Sequence, residues 1–241
     1  MKSKRDDHSR IVLETFNDRA SVWDAHYRPG AGMAPRRERF VHALSSCTAP
    51  GSRVLDYGCG TGQIARAMAD QNYRVTACDI SSEMLARARK NPDGHDITWK
   101  GIDPDNPSTL PFPSDVFDAV VSSSVFEYLA EPGEMLSECC RVLRVGGWLL
   151  LTVPDMRHAI RLKEDRKVRL ARFTPIWILM RRTPWRHRYN YYRLSINRWS
   201  VEQWSASLGH EGFCCEPVSV CSEPLMLLAA RKLELPSRAR E

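Results

Sequence analysis

Val54-Leu55-Asp56-Tyr57-Gly58-Cys59-Gly60-Thr61-Gly62 is an apolar strand that runs into three alternating glycines, with a helix expected to begin near Gln63. Only glycine lets a ligand lie this close to a backbone that is also turning sharply. Seventeen residues past Gly62, a second apolar run, Arg74-Val75-Thr76-Ala77-Cys78-Asp79, ends on a carboxylate. An acidic residue at that distance can accept hydrogen bonds from both hydroxyls of a ribose. Glycine turn and Asp79 together describe a nucleoside pocket, against the plainer alternative of a tight turn without a ligand.

Working outward from Ser52, short strand-like runs alternate with segments of helical period, the pattern of a mainly parallel sheet with helices on both faces. Strands are expected near Arg53–Tyr57, Arg74–Asp79, Ile97–Gly101, Asp118–Ser123 and Trp148–Val153, with two more near Phe213–Cys221 and Leu225–Arg231. Helices are expected near Gly62–Gln71, Ser82–Lys90 and Pro132–Leu143. Ser81 or Ser82 can cap the second, and Ser200 with Gln203 forms a capping box for a further helix that stops at Gly209. The fold class is thus α/β, a Rossmann-like seven-stranded sheet. At 241 residues the chain reads as one domain. Residues 11–50 form an N-terminal helical lid, 51–155 the core, 156–199 an insertion, 200–232 the end of the sheet and 233–241 a tail. Residues 1 to about 10 and the tail are expected to fray.

Which nucleoside is bound is a question of charge. Gly60-Thr61-Gly62-Gln63-Ile64-Ala65 also satisfies the dinucleotide pattern G-x-G-x-x-A, so a nicotinamide or flavin site is a direct rival. Asp56 lies two residues before the first glycine. A negative charge there repels a pyrophosphate and favours a sulfonium or an amino group.

Here the chain resembles the class I S-adenosylmethionine-dependent methyltransferases, especially the ubiquinone- and menaquinone-biosynthesis branch, over about Phe16 to Lys232. The likeness rests also on Leu110-Pro111-Phe112-Pro113-Ser114-Asp115-Val116-Phe117-Asp118, on Ser122-Ser123-Ser124-Val125-Phe126-Glu127-Tyr128-Leu129 and on Arg141-Val142-Leu143-Arg144-Val145-Gly146-Gly147. Val145 departs from the family's usual proline. The resemblance implies S-adenosylmethionine as cofactor, with Gly58, Gly60 and Gly62 lining its methionine portion and Asp56 near its amino group. It further implies Asp79 on the ribose, Ile80 and Met84 around the adenine, Asp103 near the adenine amino group, and Ser122 and Ser123 at the mouth. Phe16-Asn17-Asp18-Arg19-Ala20-Ser21-Val22-Trp23-Asp24 resembles the helix that closes over the cofactor, with Tyr27 following it into the pocket.

If the acceptor is a hydroxyl, a base must take its proton, and Glu127, Tyr128 and His158 are the candidates. The net charge of +6 is concentrated between Arg157 and Arg198, where thirteen Lys or Arg stand against Glu164 and Asp165. The rest of the chain is net acidic. This insertion, with Trp177, Arg181, Arg182, Trp185 and Arg186 as candidate acceptor contacts, suits an anionic or lipid-linked small molecule, an anionic membrane surface or RNA. Nucleic acid is disfavoured, since the acidic remainder would repel a long phosphate backbone. A charged N-terminus without an apolar stretch, no run of the ~20 residues that span a bilayer, and eight cysteines lacking C-x-x-C spacing fit a cytoplasmic protein with free thiols and no metal site. The expected activity is methylation, at oxygen, of a small or lipid-linked metabolite. Its rivals are a dinucleotide-dependent oxidoreductase and a non-catalytic cofactor-binding subunit, and the oligomeric state is left open.

Overall fold

The computed structural model describes residues 4–91, 94–171, 183, 186–216 and 223–234. Helix α1 (Lys4–Arg19) passes into a 3-10 segment (Ala20–Tyr27), followed by α2 (Pro35–Cys47), β1 (Arg53–Tyr57), α3 (Gln63–Ala69), β2 (Arg74–Asp79) and α4 (Ser82–Lys90). Next come β3 (Thr98–Gly101), β4 (Phe117–Ser123), α5 (Pro132–Val142) and β5 (Leu143–Pro154). Helices α6 (Ala159–Ala171), α7 (Arg186–Leu194) and α8 (Val201–His210) precede β6 (Phe213–Cys215) and β7 (Leu225–Lys232).

The seven strands lie in the order β3-β2-β1-β4-β5-β7-β6. The first five are parallel, and β7 runs antiparallel to both β5 and β6. Central strand β1 is buried from Val54 to Tyr57, as a parallel strand covered on both faces must be. Its residues alternate between two cores. Leu55 and Tyr57 pack with Met135, Leu136 and Cys139 of α5 and with Trp204 and Leu208 of α8. Val54 packs on the other face with Phe40 and Leu44 of α2 and Ile64 and Met68 of α3. Because the chain leaves β1 for β2 on one side and returns to β4 on the other, the strand order reverses between β1 and β4. A crevice opens at the carboxyl ends of such strands, here beyond Asp56–Tyr57 and Ser122–Ser123.

Helix ends follow the expected caps. Ser81 Oγ accepts from Met84 N at 3.1 Å. Ser200 and Gln203 complete the reciprocal box, Ser200 Oγ accepting from Gln203 N at 3.3 Å and Gln203 Oε1 from Ser200 N at 2.9 Å. Some boundaries differ. Residues 4–10, expected to be loose, are helical, with Arg10 paired to Asp7 and Glu14 and His8 Nε2 hydrogen-bonded to Tyr128 O at 2.8 Å. Strand β5 begins at Leu143 rather than Trp148, directly after α5, because Phe117 pairs with Leu143 ahead of a register shift in β4. Strand β6 is three residues long, and 217–221 of its expected range lie outside the described residues.

Candidate active site

A cavity of 1290 Å³ opens at the reversal point. Its floor is Asp56–Gly60, Asp79–Ile80, Met84 and Ser123–Val125, and its roof is Phe16, Arg19, Trp23 and Tyr27 from α1 and the 3-10 segment. Gly58 and Gly60 take φ of 71° and 54°, left-handed values that disfavour any side chain. A Cβ on Gly58 would lie 2.3 Å from Val125 Cγ2, and one on Gly60 3.2 Å from Trp23 Nε1. The glycines thus let the loop pass beneath Val125 and the Trp23 indole. Asp79 fixes that loop, since Oδ2 accepts from Gly60 N at 2.7 Å and Oδ1 from Ser81 N at 2.8 Å.

Two buried carboxylates share this end of the cavity. Asp56 accepts from the Ala65 N–H in the first turn of α3, while its Oδ2 is buried without a hydrogen-bond partner. Burial, then the Asp79 charge, pushes the Asp56 carboxyl up to about 7. Burial also raises Asp79, against its backbone hydrogen bonds to Ser81 and Gly60. A cation placed between them would relieve both; a pyrophosphate would add to the repulsion.

At the other end Glu127, 1% exposed, sits on the short 3-10 turn after β4. Its Oε2 accepts from Ser195 Oγ at 2.8 Å, and its main-chain oxygen accepts from Ile196 N and Asn197 N. Burial raises the Glu127 carboxyl, opposed by the Ser195 bond and the Arg161, Arg198 and Arg36 charges. Arg161 is itself buried and donates to Glu164 Oε2 at 2.8 Å, to the Tyr191 hydroxyl and to Pro224 O. Arg36 donates to Ser124 Oγ at 3.3 Å. Ser124 holds a φ of 56°, a strained value for serine that turns the chain from β4 into the Glu127 segment.

Residues 55–151 match the family described as methyltransferase domain. This chain is 26% identical over 151 residues to the ubiquinone biosynthesis O-methyltransferase of Paracidovorax citrulli, covering 58% of this chain and 60% of that one. It is 34% identical over 124 residues to the phosphatidylethanolamine N-methyltransferase of Cereibacter sphaeroides, covering 49% and 56%. Over residues 55–151 the chain carries a methyltransferase domain of the class I S-adenosylmethionine-dependent kind. It spans less than two thirds of the length of these curated relatives. Among solved structures, the complex between the Haloferax volcanii Trm112 methyltransferase activator and a methyltransferase superposes with a TM-score of 0.65 at 20% identity, over 91% of this chain and 98% of that one. At that identity the likeness concerns the fold.

S-adenosylmethionine is the cofactor of this methyltransferase family, and the residues fit it. The unpartnered Asp56 oxygen and the raised Asp56 carboxyl are what a site for a cationic amino acid presents. A pH dependence follows. A bound cation favours ionised Asp56, so binding at acid pH releases its proton, and affinity rises with pH until Asp56 is already ionised. Between about pH 6 and pH 7.5, below the usual range for an α-amino group, affinity for S-adenosylmethionine is expected to rise roughly tenfold. Calorimetry in buffers of different ionisation enthalpy checks the proton count, and Asp56→Asn should flatten the profile. A flat wild-type profile would remove Asp56 from the site.

The cavity gathers most of the residues singled out from the sequence: Asp56, Gly58, Gly60, Asp79, Ile80, Met84, Ser123, Glu127, Tyr128 and Tyr27 line it. Others stand elsewhere. Gly62 starts α3 on the far side of the loop, where a Cβ would strike Trp99 at 2.3 Å, so it serves packing rather than the cavity wall. Ser122 points its buried Oγ away from the lining because successive strand residues face opposite ways. Asp103 is exposed and turned onto Asp105 N at 3.0 Å, while its neighbours Ile102 and Pro104 line the cavity. His158 lies outside the lining at the start of α6, where Nδ1 accepts from Ile160 N at 3.3 Å as a helix cap. Burial drives the Tyr128 hydroxyl well up, so it is no anion at neutral pH; its ring packs edge-on to Phe16 and Tyr191. Trp177, Arg181, Arg182 and Trp185 lie outside the described residues, as does the side chain of Arg186. Sequence reading missed Arg36, Ser124, Arg161, Tyr191 and Ser195. Ser124 stands in the quoted Ser122–Leu129 stretch but was given no role there; the other four belong to no motif, and only the packing of α2, α6 and α7 around β4 brings them together.

Proposed function

We propose that this chain is a methyltransferase that moves a methyl group from S-adenosylmethionine to a hydroxyl oxygen of a small or lipid-linked acceptor, with Glu127 taking the proton. The observation that carries the reading is a buried carboxylate, raised by burial, in the same cavity as the glycine turn and Asp79. When bound, the cofactor supplies a methyl carbon on a sulfonium, which leaves as a neutral thioether. Trp23 and the glycine turn hold one side of the cavity, and Tyr128, Tyr191 and Tyr192 wall the other. Placement of the acceptor oxygen behind the methyl carbon can contribute up to ~7–11 kcal/mol. Glu127 would take the proton of an acceptor hydroxyl, its raised affinity for a proton making it a stronger base than a solvated carboxylate. Ser195 orients the carboxylate, and Arg161 keeps a positive charge beside it.

An acceptor of this class is supported by the name of the ubiquinone biosynthesis O-methyltransferase. The phosphatidylethanolamine relative, named for transfer to nitrogen, supports the lipid side of the reading and leaves the atom to experiment. In parallel calorimetric titrations, S-adenosylmethionine and S-adenosylhomocysteine are expected to bind and NADH is not. Binding of NADH alone would replace the methyltransferase by the oxidoreductase reading. Binding without S-adenosylhomocysteine formation on any phenolic, amine or prenylated acceptor would make the chain a cofactor-binding subunit.

A further inference from the structure

We propose that the outer face of α6 is a docking surface for an anionic lipid bilayer, seating the cavity beside the membrane surface. The helix has two unlike sides, as the 3.6-residue period requires. Arg161 and Val168 are buried on the inner side, Glu164 is half-buried there, and Arg161 and Glu164 line the cavity. The outer side exposes Ile160, Leu162, Lys163, Arg166, Lys167 and Arg169. Both acidic residues of α6 are already engaged, Glu164 by Arg161 and Arg198 and Asp165 by Arg169. Among the described residues, Lys163, Arg166 and Lys167 have no ion-pair partner.

Charge alone would suit any polyanion, and the apolar residues decide between them. Ile160 and Leu162 are 49% and 56% exposed at the flanks of the cationic stripe. Large aliphatic side chains gain nothing against a phosphate backbone, but they gain by entering the boundary between lipid headgroups and acyl chains while lysines and arginines reach outward to the phosphates. The inner side of the same short helix is cavity wall, so contact at its outer side brings the cavity and the lipid together. The inference concerns attachment and stands whether or not methyl transfer is to oxygen.

The test is co-sedimentation of the full chain with vesicles of phosphatidylcholine alone and of phosphatidylcholine mixed with phosphatidylglycerol. Binding is expected to the mixed vesicles only, and to weaken as salt is added. With about a factor of five per cation near an anionic surface, Lys163→Glu/Arg166→Glu/Lys167→Glu is expected to lower partitioning by about a hundredfold. Ile160→Ser/Leu162→Ser, which keeps every charge, is expected to lower it about tenfold. Unchanged S-adenosylmethionine binding in both variants shows that the fold survives and separates this result from the cofactor reading. Failure of the wild type to bind mixed vesicles at low salt, or equal binding by the charge variant, would overturn the proposal. Binding that ignores the serine variant and is matched by an RNA oligonucleotide would overturn it in favour of a general polyanion surface.

Discussion

Asp79→Asn is expected to lower S-adenosylmethionine affinity by about a thousandfold, the two or more charge-assisted hydrogen bonds it disturbs being worth ~1.5–3 kcal/mol each. An amide is the same size as a carboxylate, and the substitution looks conservative. Here it is not, because both Asp79 oxygens already accept from backbone N–H groups, Gly60 on one side and Ser81 on the other. Asparagine has one accepting oxygen and one donating NH₂, so whichever way it turns, a buried donor faces a buried donor. The Gly60 loop or the start of α4 must then shift. The remaining lone pairs, assigned to the ribose hydroxyls, lose their charge at the same time. Calorimetric titration of the folded variant checks this, with thermal unfolding in parallel because the same contacts hold the loop. Affinity within tenfold of wild type would mean that the ribose is held elsewhere.

Asp79 also shows what a sequence makes legible. Its spacing from the glycines and its place at a strand end are local facts, and the strand order that gives them meaning follows from alternation of apolar runs and helical periods. Asp56, Gly58, Gly60, Ile80 and Met84 reach the cavity for the same reason, each lying within a few residues of the end of β1 or β2. Where one residue of register matters, the reading fails. Ser122 and Ser123 are neighbours in a strand and necessarily face opposite ways, so only Ser123 lines the cavity. His158 was plausible by proximity to the end of β5 and proves to cap α6. The acceptor end was least legible. Arg36 comes from α2, Ser124 from a strained turn, Arg161 from α6 and Tyr191 from α7, joined by contacts across 30 to 88 residues of chain. No periodicity encodes such distances; they are set by how α2, α6 and α7 pack around β4.

Glu127→Gln is expected to lower kcat for the acceptor by about 10²–10⁴, the usual contribution of a positioned base, and to leave S-adenosylmethionine affinity within a factor of about two. Glutamine keeps the shape, and its amide oxygen can still accept from Ser195 Oγ, so loss of the proton-accepting charge is isolated from loss of packing. The pH profile supplies a second readout. Wild-type kcat should fall as pH drops through the raised Glu127 pKa, because protonation removes the base; the Gln variant should lack that limb. Ser195→Ala, which only frees the carboxylate to turn, should lower kcat less and keep the limb. A merely structural Glu127 predicts the reverse pattern: reduced thermal stability in the Gln variant with kcat and pH profile retained. That result would send the proton directly to solvent and shift the reading toward an acceptor, such as an amine already neutral, that needs no base from the protein.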